Sequence, residues 1–194
     1  IGAYQFYNAS CLTKVTLPST MATINSSAFS GCSNMAAINL GSTAVTKVYS
    51  SAFDGCSKLK EIEFPNSVTS VESSVLSNCT SLRKVTFGDN VTSIGSSALY
   101  NCTSLRKVTF GKNLTSVGSN ALRNCSALDT IVWNVKTYNI PNSSNTPFNA
   151  SYVSVYSQIK SFTFGPDVET IPNYLCYNMS KISTTIIPSS VKSI

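Results

Sequence analysis

The chain has 194 residues, a net charge of +6 and only 11% charged side chains, against about 25% in an ordinary soluble domain. Serine, threonine and asparagine fill the difference with 34, 20 and 18 residues. Histidine is absent, which excludes Ser-His-Asp and Cys-His triads, HExxH zinc sites and imidazole acid–base chemistry, and no apolar run approaches the ~20 residues that span a bilayer.

In chain order, an Ile or Val marker recurs at Ile1, Ile24, Val48, Val71, Ile94, Val117, Ile140, Ile171 and Ile194. The steps are mostly 23 residues, so about eight units account for the chain as a single solenoid domain, 1–194, with no linker. Residues 79–87 and 102–110 both read CTSLRKVTF. The first apolar pair after each marker is Ala28/Phe29, Ala52/Phe53, Val75/Leu76, Ala98/Leu99 and Ala121/Leu122. The Ser-Ser or Ser-Asn ahead of it suits a cap on a single helical or 3-10 turn.

Cysteine follows. Cys32, Cys56, Cys79, Cys102 and Cys125 recur once per unit, with Cys11 and Cys176 out of register. One cysteine per rung and an odd total predict a ladder of small buried thiols rather than a disulfide framework. There is no CxxC, so no metal or cofactor is expected. Asn78, Asn101 and Asn124 stand directly before the cysteine, inside N-C-[ST] sequons. They are expected to hydrogen-bond backbone at the turn, with the sequon a by-product of the repeat.

Next comes a Leu column, then two apolar columns two residues apart: Val15, Ile38, Ile62, Val85, Val108, Ile131, Phe162 and Thr185, and Leu17, Leu40, Phe64, Phe87, Phe110, Trp133, Phe164 and Ile187. Spacing of two places both on one face of a strand. One short strand per unit, stacked in parallel, gives a sheet along one side of the solenoid. Pro18, Pro65, Gly88, Gly111, Gly165 and Pro188 then turn the chain.

The unit spacing, Leu82, Val85, Phe87 and Asn90, fits the leucine-rich-repeat pattern. The fuller unit, best seen in Ile24, Ala28, Phe29, Cys32, Met35, Ile38 and Leu40, resembles the BspA-like branch of that family. The resemblance implies a right-handed leucine-rich-repeat solenoid, parallel sheet on one face and short helical or 3-10 turns on the other. It also implies a bacterial or protist surface or secreted protein used for adhesion or protein binding, located extracellularly or at the cell surface, and not an enzyme.

The outward strand positions are the expected binding face. Lys84, Lys107, Arg83 and Arg106 make a compact basic patch, Glu61 and Glu63 sit beside it, and Thr86 and Thr109 continue the second outward column. A Glu61–Lys84 cross-rung pair is expected. Two carboxylates raise a glycosidase reading, but an open sheet lacks a pocket to raise one carboxyl's pKa. Basic residues form no block of five, and most aromatics sit at core positions, so a nucleic-acid partner is not expected. The expected partner is a protein, such as a host extracellular-matrix or other surface protein. Alternatives are a glycan or a passive spacer role.

The unit from Ile140 carries eight extra residues within 141–158. It reads either as a protruding binding loop, with Tyr138, Tyr152 and Tyr156 as contacts, or as a patch in solenoid curvature. Ile1 and Ile194 both fall at the marker without a polar cap, which leads to the expectation of further repeats, a cap or a packing partner.

Overall fold

A computed structural model describes residues 1–138 and 156–194. The strand expected in each unit is present in the first seven units; the eighth, through Thr185 and Ile187, has none. β5 (Glu61–Glu63), β7 (Lys84–Thr86), β9 (Lys107–Phe110), β11 (Thr130–Trp133) and β12 (Ser161–Phe164) form one parallel sheet in sequential order. β1 (Lys14–Val15) and β3 (Ala37–Ile38) form a separate parallel pair ahead of it. The β11–β12 pairing, Thr130 to Ser161 through Trp133 to Phe164, crosses the longest unit without a change of register.

The marker residues form a second sheet, where the sequence predicts only one strand per unit. β2 (Thr23–Ile24), β4 (Lys47–Val48), β6 (Ser70–Val71), β8 (Ser93–Ile94) and β10 (Ser116–Val117) pair in parallel, with the Ile or Val pointing inward. The Pro/Gly turn joins the two sheets. Val68 N–H donates to the Pro65 carbonyl at 3.0 Å, and Val91 N–H to Gly88 at 3.1 Å. Gly88 is required by rung stacking, since a Cβ there would come 2.6 Å from the Pro65 carbonyl oxygen. Each turn seats a further apolar column, Val45, Val68, Val91 and Leu114, all buried.

The third side is a run of stacked turns. The chain reverses through left-handed residues four positions apart: Ser74 and Asn78 (φ 57° and 58°), Ser97 and Asn101 (56° and 60°), Asn120 and Asn124 (59° and 64°). The serines therefore bend the backbone rather than cap a helix. Gly31 and Gly55 (φ 74° and 72°) stand where later units have Asn, because glycine and asparagine bear this conformation at least cost. Backbone donors alternate in use. Phe29 N–H reaches the Ala52 carbonyl of the next rung at 2.8 Å, while Ser30 N–H closes a turn on Ser27 at 3.1 Å. Every second amide thus builds an inter-rung ladder without a strand.

Between these three sides the columns are buried through the middle rungs, while Phe6 at one end and Ile187 at the other are exposed. Phe64, Phe87 and Phe110 stack at 5.3 and 5.8 Å between centroids, and Trp133 continues the stack at 5.4 Å. Phe6, Phe29 and Phe53 stack within 3° of coplanar on the turn side. The cysteine ladder is buried as expected, and each thiol has a defined partner. Cys56, Cys79, Cys102 and Cys125 donate Sγ–H at 3.2 Å to the carbonyls of Phe29, Phe53, Leu76 and Leu99, one rung back. Cys32, Cys56, Cys79, Cys102 and Cys125 are buried free thiols, while Cys11 and Cys176 are exposed.

Candidate functional site

The sheet β5–β7–β9–β11–β12 presents two outward columns in register. One runs Glu61, Lys84, Lys107, Thr130, Ser161; the other runs Glu63, Thr86, Thr109, Val132, Thr163. Alternation with the buried Ile62, Val85 and Val108 turns these side chains to solvent. Arg83 and Arg106 lie one residue ahead of their strands, both exposed and joined by backbone. Arg83 N–H donates to Lys60 carbonyl at 2.7 Å, and Arg106 N–H to Arg83 carbonyl at 2.9 Å. The structure therefore brings Glu61, Glu63, Arg83, Lys84, Thr86, Arg106, Lys107 and Thr109 onto one surface.

Two expectations change at this surface. Glu61 and Lys84 are register partners, yet no ion pair within 4.0 Å joins them among the described residues. The ion pairs lie instead on the loops beyond the strands: Lys112 meets Asp167 at 2.8 Å, and Glu169 bridges Lys136 and Lys192 at 3.1 and 3.2 Å. Lys112 holds the Asp167 carboxyl below its usual pKa, and Lys136 with Lys192 does the same for Glu169.

Tyr138 is the second correction. It is 7% exposed, with its ring edge-on to Trp133 at 5.4 Å between centroids. It fills the core below β11 and does not present a contact ring. Tyr156 opens a 3-10 turn, Tyr156–Gln158, whose Gln158 amide donates to the Cys125 carbonyl at 3.0 Å. Tyr152 and most of the 141–158 insertion lie outside the described residues.

Where β3 and β5 fail to pair, the face is interrupted. The unit between Ile24 and Val48 is one residue longer than its neighbours, and a 3-10 turn, Leu40–Ser42, takes up the surplus. A shallow depression of about 370 Å³ opens there, lined by Asn39, Gly41, Ser42, Glu61, Glu63 and Lys84 among others. A Cβ on Gly41 would press on the Glu63 side chain at 3.2 Å. The one-residue step is visible in the sequence; the depression it creates is not.

A second groove, about 510 Å³, runs over β6, β8 and β10. Ser70, Ser93 and Ser116 line it, and Gly95 and Gly118 face it. At its edge Glu72 accepts from both the backbone N–H and the hydroxyl of Ser50, at 3.0 and 2.8 Å. Among the described residues no cluster of three His, Cys, Asp or Glu is placed to hold a metal ion. No helix among them is long and apolar enough to cross a membrane.

Two solved structures share the fold. The T. pallidum leucine rich repeat protein TpLRR aligns at 22% identity with a TM-score of 0.62, over 91% of this chain and 86% of that one. A leucine rich cell surface protein from Faecalibacterium prausnitzii A2-165 aligns at 22% identity with a TM-score of 0.64. This chain is covered in full and spans 66% of that protein. No curated protein sequence matches the chain. The sequence profile of the BspA type leucine rich repeat region matches residues 1–129 and 130–194 in six copies. That is fewer than the eight units counted from the markers; the first, last and longest units depart most from the pattern. The stacked parallel rungs and the repeat profile agree, and the chain belongs to the BspA type leucine-rich-repeat family.

Proposed function

We propose that this chain is a non-enzymatic binding module of a cell-surface or secreted protein, acting as one continuous solenoid over 1–194. Its partner would be a protein, such as an extracellular-matrix or other surface protein. The observation that carries this is the outward face of β5, β7 and β9. Four cations and two carboxylates stand there on a rigid register, and none of the six is engaged in an ion pair among the described residues. Rigid display lowers the ordering cost of binding, and a broad shallow face suits a macromolecule better than a small substrate. The carboxylates of Glu61 and Glu63 lie exposed beside an open depression, an arrangement that lacks the enclosure general acid catalysis uses. The family resemblance and the "cell surface" relative support the location. A glycan reading loses support with Tyr138 in the core.

The test is a binding screen against matrix proteins and glycans at low and physiological salt. A protein hit that weakens with salt and is lost in Lys84→Glu/Lys107→Glu supports the reading. A folded chain that binds no protein on the screen sinks it and leaves the spacer role.

A further inference from the structure

The cations of the sheet face are concentrated at the middle rungs along the solenoid axis. The column just ahead of the strands reads Ala36, Lys60, Arg83, Arg106, Asp129, Lys160, and the first strand column reads Lys14, Ala37, Glu61, Lys84, Lys107, Thr130, Ser161. Positive charge without a carboxylate on the same rung therefore occupies the adjacent rungs of β7 and β9, about 5 Å apart at the usual strand spacing; Lys60 shares its rung with Glu61 and Glu63, and Lys160 follows only beyond Asp129. Glu61 and Glu63 border it on one side and Asp129 on the other. Lys58, Lys60, Arg83, Lys84, Arg106 and Lys107 are all exposed, and none lies within 4.0 Å of a carboxylate among the described residues. Like charges on adjacent rungs repel, so the bare surface carries a cost that an anionic partner relieves.

A uniform polyanion is a poor match for this pattern. Its charge would continue past the two rungs of β7 and β9 and meet Glu61 and Glu63 at one end and Asp129 at the other. The depression beside β5 adds the complementary feature: a concave spot with two carboxylates on its wall, shaped to receive a long basic side chain.

We propose that the face docks a mixed-charge protein segment laid along the solenoid axis. Its acidic residues sit over β7 and β9, and a Lys or Arg enters the depression at Glu61 and Glu63. This rests on the protein-binding reading above and specifies the partner's chemistry. The segment's acidic stretch is short, two or three carboxylates, because Glu61 and Glu63 flank the cationic rungs on one side and Asp129 interrupts the column before Lys160 on the other.

The test uses the full chain and fluorescently labelled probes of matched length: an all-Glu peptide, a peptide with a Glu run flanked by Lys on one side, and a heparin oligosaccharide. The mixed peptide is expected to bind about tenfold tighter than the all-Glu peptide at low salt. Glu61→Lys/Glu63→Lys should invert that preference, and Lys84→Glu/Lys107→Glu should abolish both, with unfolding midpoints unchanged. Tighter binding of heparin than of the mixed peptide overturns the proposal in favour of a polysaccharide. Equal binding of the two peptides, or binding of neither, also overturns it. The broader reading falls separately: it survives if the matrix-protein hit is lost in Lys84→Glu/Lys107→Glu and fails if it is not.

Discussion

Asn39 holds Leu17 by both of its backbone groups. Leu17 N–H donates to Asn39 Oδ1 at 2.7 Å, and Asn39 Nδ2 donates to the Leu17 carbonyl at 3.0 Å. A side-chain amide thereby stands in for the next step of the β1–β3 ladder, at the point where the chain leaves strand geometry for the Leu40–Ser42 turn. Asn39→Leu leaves two partly buried backbone groups without partners and should cost about 1–3 kcal/mol in urea unfolding. Asn39→Asp keeps the acceptor but aims an oxygen at the Leu17 carbonyl. Protonation restores the donor, so the folded carboxyl is held above the ordinary pKa of about 3.9. The stability of Asn39→Asp is then present at low pH and lost as pH rises through the raised value. A wild-type-like urea midpoint for both variants at neutral pH would remove the clamp from the account.

The left-handed positions give a sharper substitution test. Asn101 sits at φ 60° and its Nδ2 donates to Asn78 Oδ1 at 3.0 Å, while Asn78 in turn donates to Asp54. Asn101→Gly removes only an exposed side-chain bond and should be near neutral. Asn101→Ala must bear the left-handed backbone and should cost about 1–2 kcal/mol. If Ala and Gly prove equally stable, backbone conformation is not what selects Asn and Gly before the cysteine.

Much of this was legible in the repeat. The columns through Ile62, Val85 and Phe87 announce a strand because a spacing of two has one structural meaning, and the pairing register follows the 23-residue period. The second sheet was harder to read. Its strands are two residues long, too short to show alternation, although Val68-Thr-Ser-Val71 and Val91-Thr-Ser-Ile94 carry its two inward columns. The sequence suggests that Asn78 and Asn101 hydrogen-bond backbone, but their amides donate to the side chains of Asp54, Ser77 and Asn78, and their φ values are the stronger reason for them; a sequence shows composition before it shows dihedral sign. The outward columns were readable as a face, but not the depression, which depends on how one surplus residue is absorbed beside Asn39.

The thiol ladder predicts a pH dependence. Burial is the main cause that pushes the Cys56 and Cys79 thiols well above the ordinary 9.0, and a hydrogen bond with Cys125 leads the causes for Cys102. The unfolded chain binds fewer protons than the folded one once pH passes 9, so stability must fall from there upward. Each fully shifted thiol contributes a slope of about 1.4 kcal/mol per pH unit. Unfolding midpoints measured from pH 8 to pH 10 should show that decline, and Cys79→Ala should make it shallower while lowering stability at pH 7. At neutral pH the exposed Cys11 should react fastest with a thiol reagent, Cys176 more slowly because burial of its thiol pushes it up to about 11, and the five ladder thiols slowest. Fast labelling of all seven would show that the ladder opens without global unfolding.

Tyr138 separates a core role from a contact role. Its ring lies against Trp133, which is itself 0% exposed and packed between Phe110 and Phe162. Removing a buried aromatic ring leaves a cavity at the end of the longest aromatic stack, so Tyr138→Ala should cost about 3 kcal/mol. A surface contact residue would instead change stability by less than about 0.5 kcal/mol and act only on binding. Tyr138→Phe preserves the ring and should retain most of the stability, which distinguishes packing from loss of the hydroxyl. Urea unfolding followed by Trp133 fluorescence reads the effect directly, because the only tryptophan of the chain touches the altered site. A stable Tyr138→Ala with weakened ligand binding would return Tyr138 to the surface.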